Sequence, residues 1–108
     1  MEKDWVNDYI RKHRKFGVGP ADWMRLPKVA CSDGFTVSMQ VGDGLYSSPR
    51  TANASHYTMV ELGYPSVGDP VIKPYAEDPD RDETDTVYPY TPIEVVNALF
   101  EKHGGISN

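Results

Sequence analysis

The chain has little cysteine, no long apolar run and a deficit of cations. Cys31 is the single cysteine in 108 residues. That excludes a disulfide within the chain and a cysteine-based zinc site, and it suits a reducing compartment. No stretch approaches the roughly 20 apolar residues that span a bilayer. The N-terminal sequence MEKDWVNDYIRKHRKFG lacks the apolar region of a secretion signal, so a soluble, cytosolic chain without membrane association is expected. Lys and Arg number 11 against 16 Asp and Glu, a formal charge of −5 at pH 7. A phosphate backbone would be repelled, so nucleic acid is not the expected partner. A basic protein partner, or mimicry of nucleic acid by an acidic surface, remains open. The length suits one domain over 1–108.

What is present is a β-meander, expected within 28–64. Val29–Cys31 is a short apolar strand and Ser32-Asp33-Gly34 a turn. Phe35, Val37, Met39 and Val41 then alternate with Thr36, Ser38 and Gln40, the period of a half-buried strand. Gly42-Asp43-Gly44 predicts a second tight turn, with Leu45–Ser47 starting a return strand. HYTMVELGY, 56–64, regains strand character, with Thr58, Val60, Leu62 and Tyr64 on one face and Tyr57, Met59 and Glu61 on the other. Val71-Ile72 either adds an edge strand or plugs the core.

Helices are expected at both ends. In 2–16, Trp5, Val6, Tyr9, Ile10 and His13 form one stripe, acids lead, bases follow, and Gly17 is the stop. Trp23, Met24 and Leu26, bracketed by Pro20 and Pro27, are expected to lie over the sheet as a lid. The second helix, 92–103, opens on Thr91-Pro92-Ile93-Glu94, which reads as a capping box with proline at the first helical position. Ile93, Val96, Leu99 and Phe100 share its apolar stripe, and Gly104-Gly105 end it. The expected fold class is α+β: a three- to four-stranded, mostly antiparallel sheet packed by both helices.

Chemistry is sparse. His13, His56 and His103 form no HxxxH or HExxH pair, and His56, beside a Ser/Arg loop, is the histidine to test as a base. Gly42-Asp43-Gly44 lacks the third glycine and following helix of a nucleotide fingerprint, so no cofactor is expected. In the acidic loop, 76–86, Asp78, Asp80 and Asp82 have the first spacings of a calcium loop. Glu83 then stands where glycine is needed, and Pro89 where a bidentate glutamate belongs, so no metal is expected. Asp78, Asp80, Asp82, Glu83 and Asp85 are candidate partner-binding residues. Ser47, Ser48 and Arg50, with Tyr46 and Tyr57 as stacking faces, are candidate ligand-binding residues for a phosphate or nucleotide, and Tyr88 and Tyr90 are further stacking faces expected nearby.

The segments ADWMRLP, ACSDGFTVSMQ, YSSPR, VELGYPS, YAEDP and TDTVYPYTPIEVVNALFEKHGG resemble small uncharacterised proteins encoded by bacteriophages and prophages. The resemblance runs from Pro20 to Gly105 and carries no residue roles. It implies a phage-type accessory protein acting in the bacterial cytoplasm. The expected function is non-enzymatic binding, as an anti-defence inhibitor of anti-CRISPR type that captures a host nuclease complex or sequesters a nucleotide signal. The alternatives are a small hydrolase using His56, or a structural, self-assembling phage protein. The open edges of so small a sheet make a homodimer a further expectation.

Overall fold

A computed structural model describes residues 3–13, 26–42, 45–51 and 54–108. The expected stop at Gly17, the basic residues Arg14 and Lys15, the lid residues Trp23 and Met24, and Asp43-Gly44 of the second turn lie outside them. The elements are α1 (Trp5–His13), β1 (Val29–Ala30), β2 (Thr36–Gln40), β3 (Met59–Gly63), a 3₁₀ turn (Lys73–Tyr75), β4 (Val87–Pro92) and α2 (Ile93–Lys102). The four strands form one sheet in sequence order, each pair antiparallel. The fold is the α+β meander with a helix at each end.

The period-two pattern fixes the faces. Phe35, Val37, Met39 and Val41 are all buried while Thr36, Ser38 and Gln40 stay half-exposed. Met39 sits opposite Leu62, and Leu62 opposite Tyr88, so three strands place large apolar groups in one row. Val6, Tyr9 and Ile10 of α1 and Ile93, Val96, Leu99 and Phe100 of α2 join the same core. Ile72 is completely buried in the turn before the 3₁₀ segment: it plugs the core and adds no strand.

Three local expectations are corrected. Leu45–Ser47 is not the return strand. The partner of β2 is β3, reached by a long excursion that touches the sheet through a bridge between Ser48 and Met59. Ser-Ser-Pro is a poor strand sequence, and the Ser47 hydroxyl is turned inward, accepting from Gly42 N–H and donating to the Pro49 carbonyl. The alternation predicted from 56 begins at Met59, so Thr58 is exposed and Tyr57 completely buried; past the strand, Tyr64 turns outward with φ 52°. Thr91 does not cap α2. It is fully buried in the last turn of β4 and donates to the Tyr88 carbonyl at 3.0 Å. Pro92 holds the cap position in extended conformation, without a side-chain cap bond, and Ile93 N–H finds the Thr58 carbonyl at 3.0 Å. Ile93 N–H, one of the free donors at the helix start, is thus met by the chain packed alongside.

Side-chain amides extend the main-chain bonding. Asn7, buried on α1, donates to the Tyr57 carbonyl at 3.1 Å and accepts Tyr57 N–H at 2.8 Å. Gln40 does the same for Leu26, at 2.9 Å each way. Asn108 accepts from Ala30 N–H and donates to the Lys28 carbonyl. Both outer strands are also flanked: Ser107 N–H bonds Ala30 and Ser32 N–H bonds Gly105 on the β1 side, while Glu77 N–H bonds Val87 and Tyr90 N–H bonds Tyr46 on the β4 side. The edges expected to be open are thus partly covered. Gly105 closes the corner at φ 85°, where an added Cβ would lie 2.6 Å from the Trp5 ring.

Asn7→Ala leaves both main-chain groups of Tyr57 without these bonds inside the protein. It is expected to cost about 2–4 kcal/mol of unfolding free energy by denaturant titration, since each unmet buried group costs about 1–3 kcal/mol.

Candidate functional site

The acidic segment leaves β3 through residues 64–72 and returns to the sheet at β4. Glu77, Asp78, Asp80, Asp82 and Asp85 are exposed and Glu83 is half-buried. The segment is built from tight turns made by its own carboxylates. Asp78 accepts Asp80 N–H at 3.0 Å, and Asp82 accepts Thr84 N–H at 2.9 Å and the Thr84 hydroxyl at 2.6 Å. These are the Asx turns that short acidic side chains favour. The Thr84 hydroxyl and then its amide hold the Asp82 carboxyl below the usual range. The Tyr88 hydroxyl, at the root of the segment, donates to the Glu83 carbonyl at 2.5 Å. Burial, then the charges of Glu83 and Asp82, raise the Tyr88 pKa, so it stays a donor at neutral pH. Beneath the segment lies a groove of about 410 Å³ walled by Pro70, Pro74 and Pro79 and flanked by Asp78, Arg81 and Glu83.

The five candidate ligand residues divide. Ser47 is completely buried, with its hydroxyl committed as described. Ser48 spends its main chain on Met59 and Thr58. Tyr57 is buried and its hydroxyl donates to the Thr51 carbonyl. Arg50 and Tyr46 remain on the surface. The guanidinium carbon lies 5.8 Å from the Tyr46 ring centre, and that ring is 5.6 Å from the exposed Tyr90. Arg50 Nε donates to the Leu45 carbonyl at 2.9 Å. Of the other tyrosines expected as stacking faces, Tyr88 is completely buried, while Tyr90 joins this patch because its backbone has φ 50°, which breaks the strand alternation.

A second cluster was not foreseen. His103, read from sequence as a helix-end residue, joins three segments. Its Nδ1 lies 2.6 Å from Asp33 Oδ2 and its Nε2 2.9 Å from Asp69 Oδ2. Carboxylate oxygens only accept, so both ring nitrogens carry protons and the ring is an imidazolium. It stacks on Phe35, centroids 4.0 Å apart and planes 10° apart, a cation over an aromatic face. Lys102 reaches Asp69 Oδ1 at 3.1 Å. Burial alone would lower the histidine pKa; the bonds to Asp33 and Asp69 outweigh it and raise the value. Asp69 is only 3 % exposed. Burial pulls its pKa upward, but Val71 N–H, His103 and Lys102 outweigh that and hold it low. No sequence spacing announces this cluster, because its members come from a turn, a loop and a helix end.

An imidazole with both nitrogens committed has no lone pair for general-base work. His56 is exposed, and at Asp4 burial is outweighed by the Asn7 and Asn97 bonds, which hold its pKa low. The Cys31 thiol is buried, and desolvation, then the Asp33 charge, push it up to about 11. Among the described residues no group of three or more His, Cys, Asp or Glu is placed to hold a metal ion, and no helix is long and apolar enough to cross a membrane.

No family model, curated protein or solved structure matches the chain.

Cys31 is expected to resist a thiol reagent at pH 8 in the folded protein and to react fully in denaturant, as read by mass spectrometry. Asp69→Ala removes the buried acceptor of Val71 N–H and His103 Nε2 and is expected to cost about 2–4 kcal/mol in denaturant unfolding. Asp33→Ala, at a half-exposed carboxylate, is expected to cost clearly less.

Proposed function

We propose that the chain is a non-enzymatic, phage-type accessory protein that acts by binding in the bacterial cytoplasm. The acidic segment, 77–85, is its recognition surface for a basic patch on a host protein complex. The nucleic-acid-binding face of a defence nuclease complex is the kind of surface that fits, because closely spaced carboxylates offer it what a phosphate backbone offers. The observation that carries this reading is the construction of the segment: its Asx turns fix the backbone while the carboxylates stay in solvent. A preorganised anionic surface loses less entropy on docking than a mobile one.

A second reading rests on Arg50, Tyr46 and Tyr90. A guanidinium beside two exposed rings suits a ligand with an anionic group and a flat face, as a nucleotide signal has.

Affinity capture from bacterial lysate separates them. With Asp78, Asp80, Asp82 and Asp85 changed to Asn and Glu83 to Gln, captured protein is expected to disappear. With the native chain, capture is expected to fall steeply between about 0.1 M and 1 M salt, as screening shortens the reach of surface charge. Capture that survives both treatments counts against the acidic surface. Native mass spectrometry of the same eluate reads the second possibility: a retained small molecule that vanishes in Arg50→Ala assigns the function to that patch.

A further inference from the structure

The His103 cluster shares no residue with either proposed recognition surface, and its bonding depends on a proton. Asp33 caps its own turn, accepting Phe35 N–H at 2.9 Å. The main chain of that turn is joined to the end of α2 and the segment after it: Asp33 N–H bonds the His103 carbonyl at 3.2 Å and Ser32 N–H the Gly105 carbonyl at 2.9 Å. Directly after Gly105, Ile106 bridges Cys31 and Ser107 N–H reaches Ala30 at 2.8 Å. The His103 side chain adds its bonds to these main-chain contacts at the corner from which residues 105–107 run along the edge of β1.

We infer that His103 is a proton-controlled clasp: when charged it ties the turn between β1 and β2 to the end of α2, and when neutral it keeps Asp69 and releases Asp33, loosening the covered edge of β1. A neutral imidazole has one N–H. The proton stays on Nε2, because Asp69 is 3 % exposed and cannot exchange a lost donor for water, whereas the Asp33 side chain is 49 % exposed. Nδ1 then turns a lone pair toward the Asp33 carboxylate, acceptor against acceptor.

The charged groups around the ring set the sign. Asp33 faces it from the turn and Asp69 from the loop before the 3₁₀ segment. Lys102 on α2 neutralises part of Asp69. Cys31, affected by Asp33, stays protonated, Phe35 of β2 is uncharged, and Glu101 of α2 is committed to the Trp5 indole at 2.7 Å. Two carboxylates against one ammonium favour the imidazolium, so the folded-state pKa is raised above the ordinary histidine value. The clasp contributes fully below the unfolded value of about 6.5 and is lost as pH rises through the folded one.

The test is residue-resolved NMR on the whole chain. ¹⁵N shifts of the His103 ring are followed from about pH 5 to pH 9, with His13 and His56 resolved separately, and amide protection factors are measured on both sides of the His103 midpoint. The expected result is a neutral ring protonated on Nε2. Protection at Ser32 and Asp33 is expected to fall about tenfold above the midpoint, with Val60 unchanged. Asp33→Asn keeps an acceptor for Phe35 N–H and is expected to weaken proton binding by His103 about tenfold and abolish the pH dependence at Ser32. A neutral ring protonated on Nδ1 overturns the proposal. So does protection at Ser32 and Asp33 that is constant through the midpoint, or an Asp33→Asn midpoint equal to the native one.

Discussion

A main-chain amide or carbonyl shut away from water needs a partner, and this sheet is too short to supply all of them. Its strands have two, five, five and six residues, while buried chain continues beyond them at Leu26, Val41, Ser47 and Tyr57. Asn7, Gln40 and Asn108 each present a carboxamide to a main-chain segment and make the pair of bonds that a neighbouring strand would make. An unmet buried peptide group costs on the order of one to three kcal/mol. The surrogates at Asn7 and Gln40 therefore decide whether the excursion 45–58 and the segment entering β1 can lie on the core, while Asn108 does the same work at the exposed edge of β1.

Several other features fit the same constraint. Asn7 is itself braced: Asp4 accepts from its amide and side chain, Asn97 donates to Asp4, and Asn97 accepts Val6 N–H. That chain of amides links α1 to α2 without an ion pair. Burial of Tyr57 follows from the clamp on its backbone, and Thr91 turns its hydroxyl to Tyr88 because the start of α2 is already served by Thr58. Among the described residues, acidic and basic side chains are kept outside the core or, as with Asp69, bonded by several partners. What reaches solvent is a set of surfaces: the acidic segment and the Tyr46–Arg50–Tyr90 patch.

Legibility in the sequence followed the range of the interaction. Alternation in 35–41 and the stripe Ile93, Val96, Leu99, Phe100 are local, and both predicted burial correctly. The turn at Ser32-Asp33-Gly34 was readable because Asp and Gly carry their own turn geometry. Thr91-Pro92-Ile93-Glu94 has the local form of a capping box, but Thr91 is drawn into β4 and Thr58, just before β3, accepts Ile93 N–H, so tertiary contact overrode the motif. Asn7 offered a faint signal, a polar residue between two buried stripe positions. His103, Asp33 and Asp69 offered none, since their meeting depends on how α2 ends against a turn and a loop distant in sequence. Of the candidate sites, the exposure of 77–85 was legible from its self-repulsion, whereas its internal turns and the inward orientation of Ser47 and Tyr57 required the fold.

Hydrogen exchange at the amides of Leu26, Ala30 and Tyr57 tests the account most directly, because these donate to Gln40, Asn108 and Asn7 and not to a strand. If carboxamides complete the bonding of the sheet, the three amides are protected to within about tenfold of Val60 in the centre of β3. Exchange at the rate of an unprotected chain at these positions, with Val60 still protected, would contradict it.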